Sequence, residues 1–286
     1  MSGLDASGLA SQFPTELHLL CKRSYTCLAH DTLRPLLELS RFVAGFQSFD
    51  AQLLDRGTTV TTSATDHVPT SVELRETYAL RFAGQETRRK EVWQVLSRHF
   101  FQRWIDPAST VLDLGAGYCE FINSVQAKQK LALDLNPATI SHAEAGVRVL
   151  SQDVSQAWDI PSASVDVLFT SNFLEHLSGK ELVEHCLQEA ARVIRPGGRF
   201  IALGPNIRFA YDVYWDFFDH YFPLSDRSIV EALELNGFQP ELVVPRFLPF
   251  TMKGRIPSHP VLVRLYLALP VAWPIFGKQF LVVARR

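Results

Sequence analysis

Apolar positions fall into two kinds of pattern along this chain. Over Glu86 to Trp104, residues Val92, Val95, Leu96, Phe100 and Trp104 recur at i, i+3, i+4, i+8 and i+12, which is one face of a helix. Downstream, short apolar runs predict strands near 110–114, 130–135, 147–151, 164–170 and 198–204. The stretches between them predict helices near 118–128, 137–145 and 179–195. Pro196-Gly197-Gly198 is expected to stop the last of these helices and turn the chain into the next strand. Ser225-Asp226-Arg227-Ser228 opens a further helix that ends at Asn236-Gly237, followed by strands near 239–245 and 279–285. Strand–helix alternation of this kind implies a parallel sheet with right-handed crossovers.

The flanks read differently. Residues 1 to about 55 have a weaker helical pattern, anchored by Leu17, Leu19, Leu20, Leu36, Leu37 and Leu39. Gly57 to Ser71 turns Thr/Ser-rich and reads as a linker or loop. The expected organisation is a helical extension and linker over 1–72 and an α/β domain over 73–286. Between the last two strands, 246–277 is an insertion whose run Val261–Leu269 is nearly all apolar. That run is too short, and too interrupted by Arg264, Pro270 and Pro274, to span a bilayer. It has three readings: a cap over an apolar acceptor pocket, a homodimer interface, or a face resting on a membrane surface.

Composition narrows the class. The chain has 286 residues, 47% of them hydrophobic and 20% charged, which suits a globular protein with an ample core. Its net charge of −2 provides no basic field for nucleic acid. Cys21, Cys27, Cys119 and Cys186 have no zinc spacing, so reduced thiols and no metal site are expected. The first residues lack a basic-then-apolar signal pattern, and the expected location is the cytoplasm.

Candidate chemistry concentrates at Val111-Leu112-Asp113-Leu114-Gly115-Ala116-Gly117. An apolar run ends in an acid, and two glycines let the backbone come close to a ligand. One strand later, Leu131-Ala132-Leu133-Asp134 also ends in a carboxylate, suited to accept hydrogen bonds from both hydroxyls of a ribose.

Together these segments resemble the class I S-adenosylmethionine-dependent methyltransferases. Asp113 to Gly117 is similar to that family's glycine motif, Asp134 to its ribose-binding acid, and Gln152-Asp153-Val154 to its adenine-proximal motif. Val165–Phe169 followed by Asn172, Leu174, Glu175 and His176 resembles the fourth strand and the segment after it. Val193–Arg199 is similar to the family's helix-to-fifth-strand signature. The resemblance implies a doubly wound, Rossmann-like seven-stranded sheet whose last strand inserts antiparallel between two earlier ones. It also implies S-adenosylmethionine as cofactor and S-adenosylhomocysteine as product. Asp113, Gly115, Ala116, Gly117, Asp134, Leu135, Asp153, Val154 and Asn172 are then the expected cofactor residues. Asp113 has a second reading, as a structural acid tying down loop amides. Cys119 departs from the pattern, standing where many relatives have a small residue or glycine.

Methyl transfer from a sulfonium is an in-line displacement, so the protein mainly supplies position and a dry site. A hydroxyl acceptor benefits from a general base, for which His176 and His220 are candidates, with Asp216 and Asp219 as residues that orient His220. Their alternatives are a helix-start residue, a packing histidine and surface acids. Arg81, beside Tyr78, is a candidate to fork onto the cofactor carboxylate from a lid; the alternative is a salt bridge. The expected activity is methyl transfer to a small or amphiphilic acceptor, first at oxygen, as in bacterial methyltransferases of secondary metabolism or glycan tailoring. Two other readings stand beside it. One is a non-catalytic cofactor-binding module. The other is a nicotinamide-dependent oxidoreductase, whose fingerprint wants Gly or Ala where this chain has Glu120.

Overall fold

The computed structural model describes residues 71–250 and 259–286. The expected helical extension, the Thr/Ser-rich linker, and Lys253 and Arg255 of the insertion lie outside the described residues. Helix α1 (Ser71–Phe82) and helix α2 (Glu86–His99) precede the sheet. Then follow β1 (Thr110–Leu114), α3 (Glu120–Ser124), β2 (Gln129–Leu133), α4 (Ala138–His142), β3 (Val147–Leu150) and β4 (Val165–Ser171). The second half comprises α5 (Lys180–Val193), β5 (Ile194–Pro205), α6 (Ile207–Ala210), α7 (Asp226–Leu235) and β6 (Gln239–Val244). The insertion forms α8 (Pro260–Ala268) and α9 (Trp273–Phe276), and β7 (Gln279–Arg285) closes the order.

The seven strands run β3-β2-β1-β4-β5-β7-β6. The first five are parallel, and β7 is antiparallel to both β5 and β6, as the resemblance implied. Sequence patterns explain the placement. Six consecutive residues of β7 are buried, so it must lie inside the sheet, covered on both faces. In β6 exposure alternates residue by residue, and Pro240 lacks a ladder donor, both properties of an edge strand. Strand order reverses between β1 and β4, which opens a crevice at their C-terminal ends.

Two apolar layers cover the sheet. On one face α5 and α7 bury Leu187, Val193, Ile229 and Leu233 with Phe200 and Phe238. On the other, α2, the insertion and the strands share a layer rich in aromatic rings, including Phe100, Phe101, Phe121, Phe169 and Phe247. The predicted α2 face holds: Val92, Leu96 and Phe100 are buried there.

Three boundaries differ from the sequence expectation. The helix expected over 118–128 is only Glu120–Ser124, and the one expected over 137–145 is Ala138–His142. At the end of α4 the Asn123 side chain acts as a cap, donating to the His142 carbonyl (2.9 Å) and accepting from the Glu144 amide (3.0 Å). The third concerns Pro196-Gly197-Gly198. Helix α5 stops earlier, at Val193, and these residues form a bulge inside β5, where pairing jumps from Val165–Ile194 to Val167–Arg199. At α7 the expected start is observed as a reciprocal cap between Ser225 and Ser228.

Phe247 fixes the insertion to the domain. It is fully buried, with its ring 4.6 Å from Phe100 and 5.0 Å from Trp273. Phe247→Ala should lower unfolding stability by about 3–5 kcal/mol, the usual cost of deleting a buried ring. Urea unfolding followed by tryptophan fluorescence measures this, and a wild-type midpoint would mean the insertion does not pack as described.

Candidate active site

A cavity of about 730 Å³ opens at the crevice between β1 and β4. Its walls come from the glycine loop after β1, the turn after β4, the lid-like helix α1, the loop after β5 and the insertion. Most of the lining is apolar, contributed by residues such as Trp93, Phe121, Phe169, Phe217 and Phe250.

The glycine loop has a conformation that its sequence demands. Gly115 and Gly117 have φ of +72° and +52°, the left-handed region in which a side chain is strained. A Cβ on Gly115 would lie 2.4 Å from the Phe173 ring, and one on Gly117 would lie 2.9 Å from Tyr78. Cys119 adopts φ 60° without being a glycine, a conformation that strains a residue carrying a Cβ. Its side chain is fully buried.

Asp134 holds this loop. One carboxylate oxygen accepts the Gly117 N–H and the other accepts the Asn136 N–H, each at 2.7 Å. Burial raises the Asp134 carboxyl above its usual range, while these backbone donors pull it back. Asp113 is also buried and faces the cavity; burial and the nearby charges of Asp134 and Glu120 push its carboxyl well up, and the Ile122 amide opposes them.

Helix α1 closes one side. Tyr78 packs 5.5 Å from Tyr118 and 5.4 Å from Phe82, and burial pushes its hydroxyl up. Arg81 forms an ion pair with Asp219 and lies 5.2 Å from the Phe217 ring centre. Arg89 pairs with Glu120 at 2.8 Å and covers Phe82.

A polar pole of the lining gathers Glu175, His176 and His220. Glu175 and His176 sit in the single turn Leu174–His176 that follows β4, and His220 comes from the loop after β5. The Glu175 carbonyl fixes that loop by accepting from the amides of Tyr221 (2.8 Å) and Phe222 (3.1 Å). His176 Nδ1 lies 2.7 Å from the Asp219 carbonyl oxygen and 3.3 Å from its carboxylate. The rings of His176 and His220 are 4.9 Å apart, and Phe217 stacks on His220. Burial pushes Glu175 up to about 8. Burial, reinforced by His176, holds His220 down at about 4. Burial also lowers His176, against the pull of Asp219. Asp219 stays below the usual carboxylate range despite its own burial, because His176 and Arg81 favour its charge.

Of the residues expected from sequence, Asp113, Gly115, Ala116, Gly117, Asn172, Arg81, His176 and His220 line the cavity together. Asp134, Leu135, Asp153 and Val154 are not part of its lining. Asp134 lies behind the loop, Asp153 accepts the Ser155 amide at 2.8 Å, and Val154 packs in the core. Asn172 has a left-handed φ of 48°, a strained position at the end of β4. The expectation that Asp216 and Asp219 orient His220 is corrected: Asp219 is bound to His176 and Arg81, and Asp216 is exposed. Glu175 received no role from the sequence, although a lone acid between Leu174 and His176, after an apolar strand, is a signal that it was unusual. Tyr78, expected with Arg81 to form a lid, lines the cavity beside Gly117.

Two left-handed glycines and two carboxylates at adjacent strand ends suit a nucleoside-bearing ligand, because the backbone is bare where a Cβ would obstruct it. Comparison with known proteins agrees. Residues 112–202 match the model of a methyltransferase domain. A Mycolicibacterium smegmatis protein called "Probable S-adenosylmethionine-dependent methyltransferase" is 32% identical over 134 residues, covering 44% of this chain and 50% of that protein. The match thus spans only half the length of that relative. Among solved structures, an Archaeoglobus fulgidus SAM-dependent methyltransferase superposes with a TM-score of 0.54 at 18% identity, covering 73% of this chain and 98% of that one. A Haloferax volcanii chain, solved in a complex with the Trm112 methyltransferase activator, gives 0.55 at 18%, covering 77% and 99%. Residues 112–202 thus carry a methyltransferase domain, set in a seven-stranded sheet that superposes on that of a SAM-dependent methyltransferase.

Proposed function

We propose that the protein transfers the methyl group of S-adenosylmethionine to an oxygen of a small amphiphilic acceptor. One observation carries this reading: the glycine loop opens directly into a largely apolar cavity in which Glu175, His176 and His220 cluster. The cofactor, when bound, supplies an electrophilic methyl group on sulfur, so that a C–O bond forms as the C–S bond breaks. The protein's part is to align the two ligands and keep water out.

Gly115, Ala116 and Gly117 offer backbone to the amino-acid and sugar portion of the cofactor. Asp134 takes the ribose hydroxyls: each oxygen already accepts one N–H, and a carboxylate oxygen has a second lone pair to offer. Leu135, Asp153 and Val154 border the adenine, and Asp113 and Asn172 flank the methionine end. Arg81 stands within reach of the cofactor carboxylate from α1, held in place by Asp219. His220 and His176 meet the acceptor oxygen as neutral rings that offer lone pairs, and His220 accepts the hydroxyl proton. Asp219 positions His176.

The apolar surface beside the cavity supports an amphiphilic acceptor. Leu262 and Phe276 line the cavity and are also exposed, next to exposed Val261, Leu265, Val271 and Ile275. This face of residues 259–277 suits peripheral contact with a membrane surface or, second, a homodimer. Among the described residues no helix is long and apolar enough to cross a membrane. The proposed setting is the cytoplasm, where the unpaired buried thiols of Cys119 and Cys186 stay reduced.

Three outcomes test the assignment. Gly115→Ala should abolish binding of S-adenosylhomocysteine in a calorimetric titration, because the new Cβ has no room and the backbone is strained; wild-type affinity would remove the loop from the site. Asp134→Ala should weaken the same binding by about 1.5–3 kcal/mol, the worth of a charged hydrogen-bonding group; unchanged affinity would mean the ribose lies elsewhere. His220→Ala should leave that affinity intact and slow release of S-adenosylhomocysteine with long-chain phenol acceptors by roughly 100-fold or more; an unchanged rate would take His220 out of the reaction.

A further inference from the structure

Two buried polar atoms at the acceptor pole have no hydrogen-bond partner: Glu175 Oε1 and His220 Nδ1. Both residues are more than nine-tenths buried, at 3% and 6% exposure, and both line the cavity. Unpartnered buried atoms are rare in folded proteins and each requires an explanation. Had the carboxyl and imidazole simply neutralised one another, they would be hydrogen-bonded, and they are not. His176 completes the group: one donor atom from each of Glu175, His176 and His220 lies within 4.8 Å of the others. Among the described residues this is the one cluster of its kind.

We propose that Glu175, His176 and His220 bind one divalent first-row transition metal ion whose remaining positions face the cavity and hold the oxygen of the acceptor. The donor set of two imidazoles and one carboxylate suits zinc, iron(II), manganese or cobalt better than magnesium or calcium, which prefer all-oxygen surroundings. Ligand distances near 2.0–2.2 Å bring donors to roughly 3–3.5 Å from one another, a contraction that small side-chain rotations supply. The surroundings of His176 have the arrangement that metal-bound histidines need. Its Nδ1 is engaged by Asp219, which fixes the ring and leaves Nε2 for an ion. Arg81 in turn anchors Asp219, so helix α1 is coupled to the site. Three protein ligands leave open positions, as in metal sites that act on substrates.

The consequence is a narrower acceptor class: a hydroxyl with a second oxygen close enough to chelate, attached to an apolar body that fills the aromatic cavity. This inference rests on the reading of the pole as the acceptor end of the pocket, and it refines the role of His220. A lone pair given to an ion is not available to take a proton, so in the loaded protein the ion acidifies the hydroxyl and the proton leaves to solvent.

The test is cobalt(II) titration of the chelator-treated full chain, followed by visible absorption and equilibrium dialysis. One equivalent should bind and give the bands of a low-symmetry nitrogen–oxygen site. Glu175→Gln and His220→Asn should each lose at least tenfold in affinity. Asp219→Asn, which leaves all three ligands in place, should lose roughly 10- to 100-fold through the ring it orients. Thermal unfolding of each variant separates loss of the site from loss of the fold. No stoichiometric uptake by the wild type, or equal uptake by the folded variants, overturns the proposal. Parallel calorimetry with S-adenosylhomocysteine tells the two readings apart: a chain that binds it but takes up no cobalt refutes the metal alone. A chain that takes up cobalt at this site but fails to bind S-adenosylhomocysteine upholds the metal and refutes the cofactor assignment.

Discussion

The grip of Asp134 on two backbone amides is the constraint on which the site depends. By taking the Gly117 N–H with one oxygen and the Asn136 N–H with the other, it ties the loop after β1 to the end of β2. The loop can then hold left-handed residues at 115, 117 and 119, a conformation that costs energy at Cys119 and none at the glycines. Thr139 reinforces the same knot by donating to the Gly117 carbonyl. The carboxylate is buried to do this, and the raised pKa that follows is the electrostatic cost of ordering the loop.

Around that knot the cavity is shaped by aromatic packing. Phe121 stacks on Phe169 at 3.7 Å, and Phe101 meets both, so the floor of the pocket is continuous with the core of the sheet. Phe247 and Trp273 extend the same layer into the insertion, and the Tyr266 hydroxyl donates to the Phe247 carbonyl. Shape at the apolar end is therefore set by buried rings, which adapt little, while the mouth is built from exposed aliphatic residues of α8 and α9.

At the other end, electrostatics do what packing cannot. A chain of contacts runs from Arg81 through Asp219 to His176 and on to His220 and Glu175. Charge is kept at the outer, partly exposed members, where Arg81 and Asp219 offset one another. The inner members are driven toward their neutral forms by burial, which leaves lone pairs, not net charge, facing the cavity. The Arg81–Asp219 ion pair couples the pole to α1.

The sequence by itself determined the parallel α/β framework, the glycine loop and the helix start at Ser225, while the antiparallel last strand was implied only by the family resemblance. The first three follow from local rules: strand runs, left-handed glycines, an acid at a strand end, a serine before a helix. Tertiary structure decided the rest. Helix α4 ends at His142, short of its pattern, where Asn123 reaches across from α3 to cap it, a contact no local window contains. Asp219 serves His176, which is 43 residues away in the chain, and not its neighbour His220, because the loop after β5 folds back onto the Glu175 carbonyl. Glu175 acquired its character only through burial, since the same carboxyl in solvent would be an ordinary anion. Periodicity is a property of neighbours along the chain, and the polar pole is a property of neighbours in space.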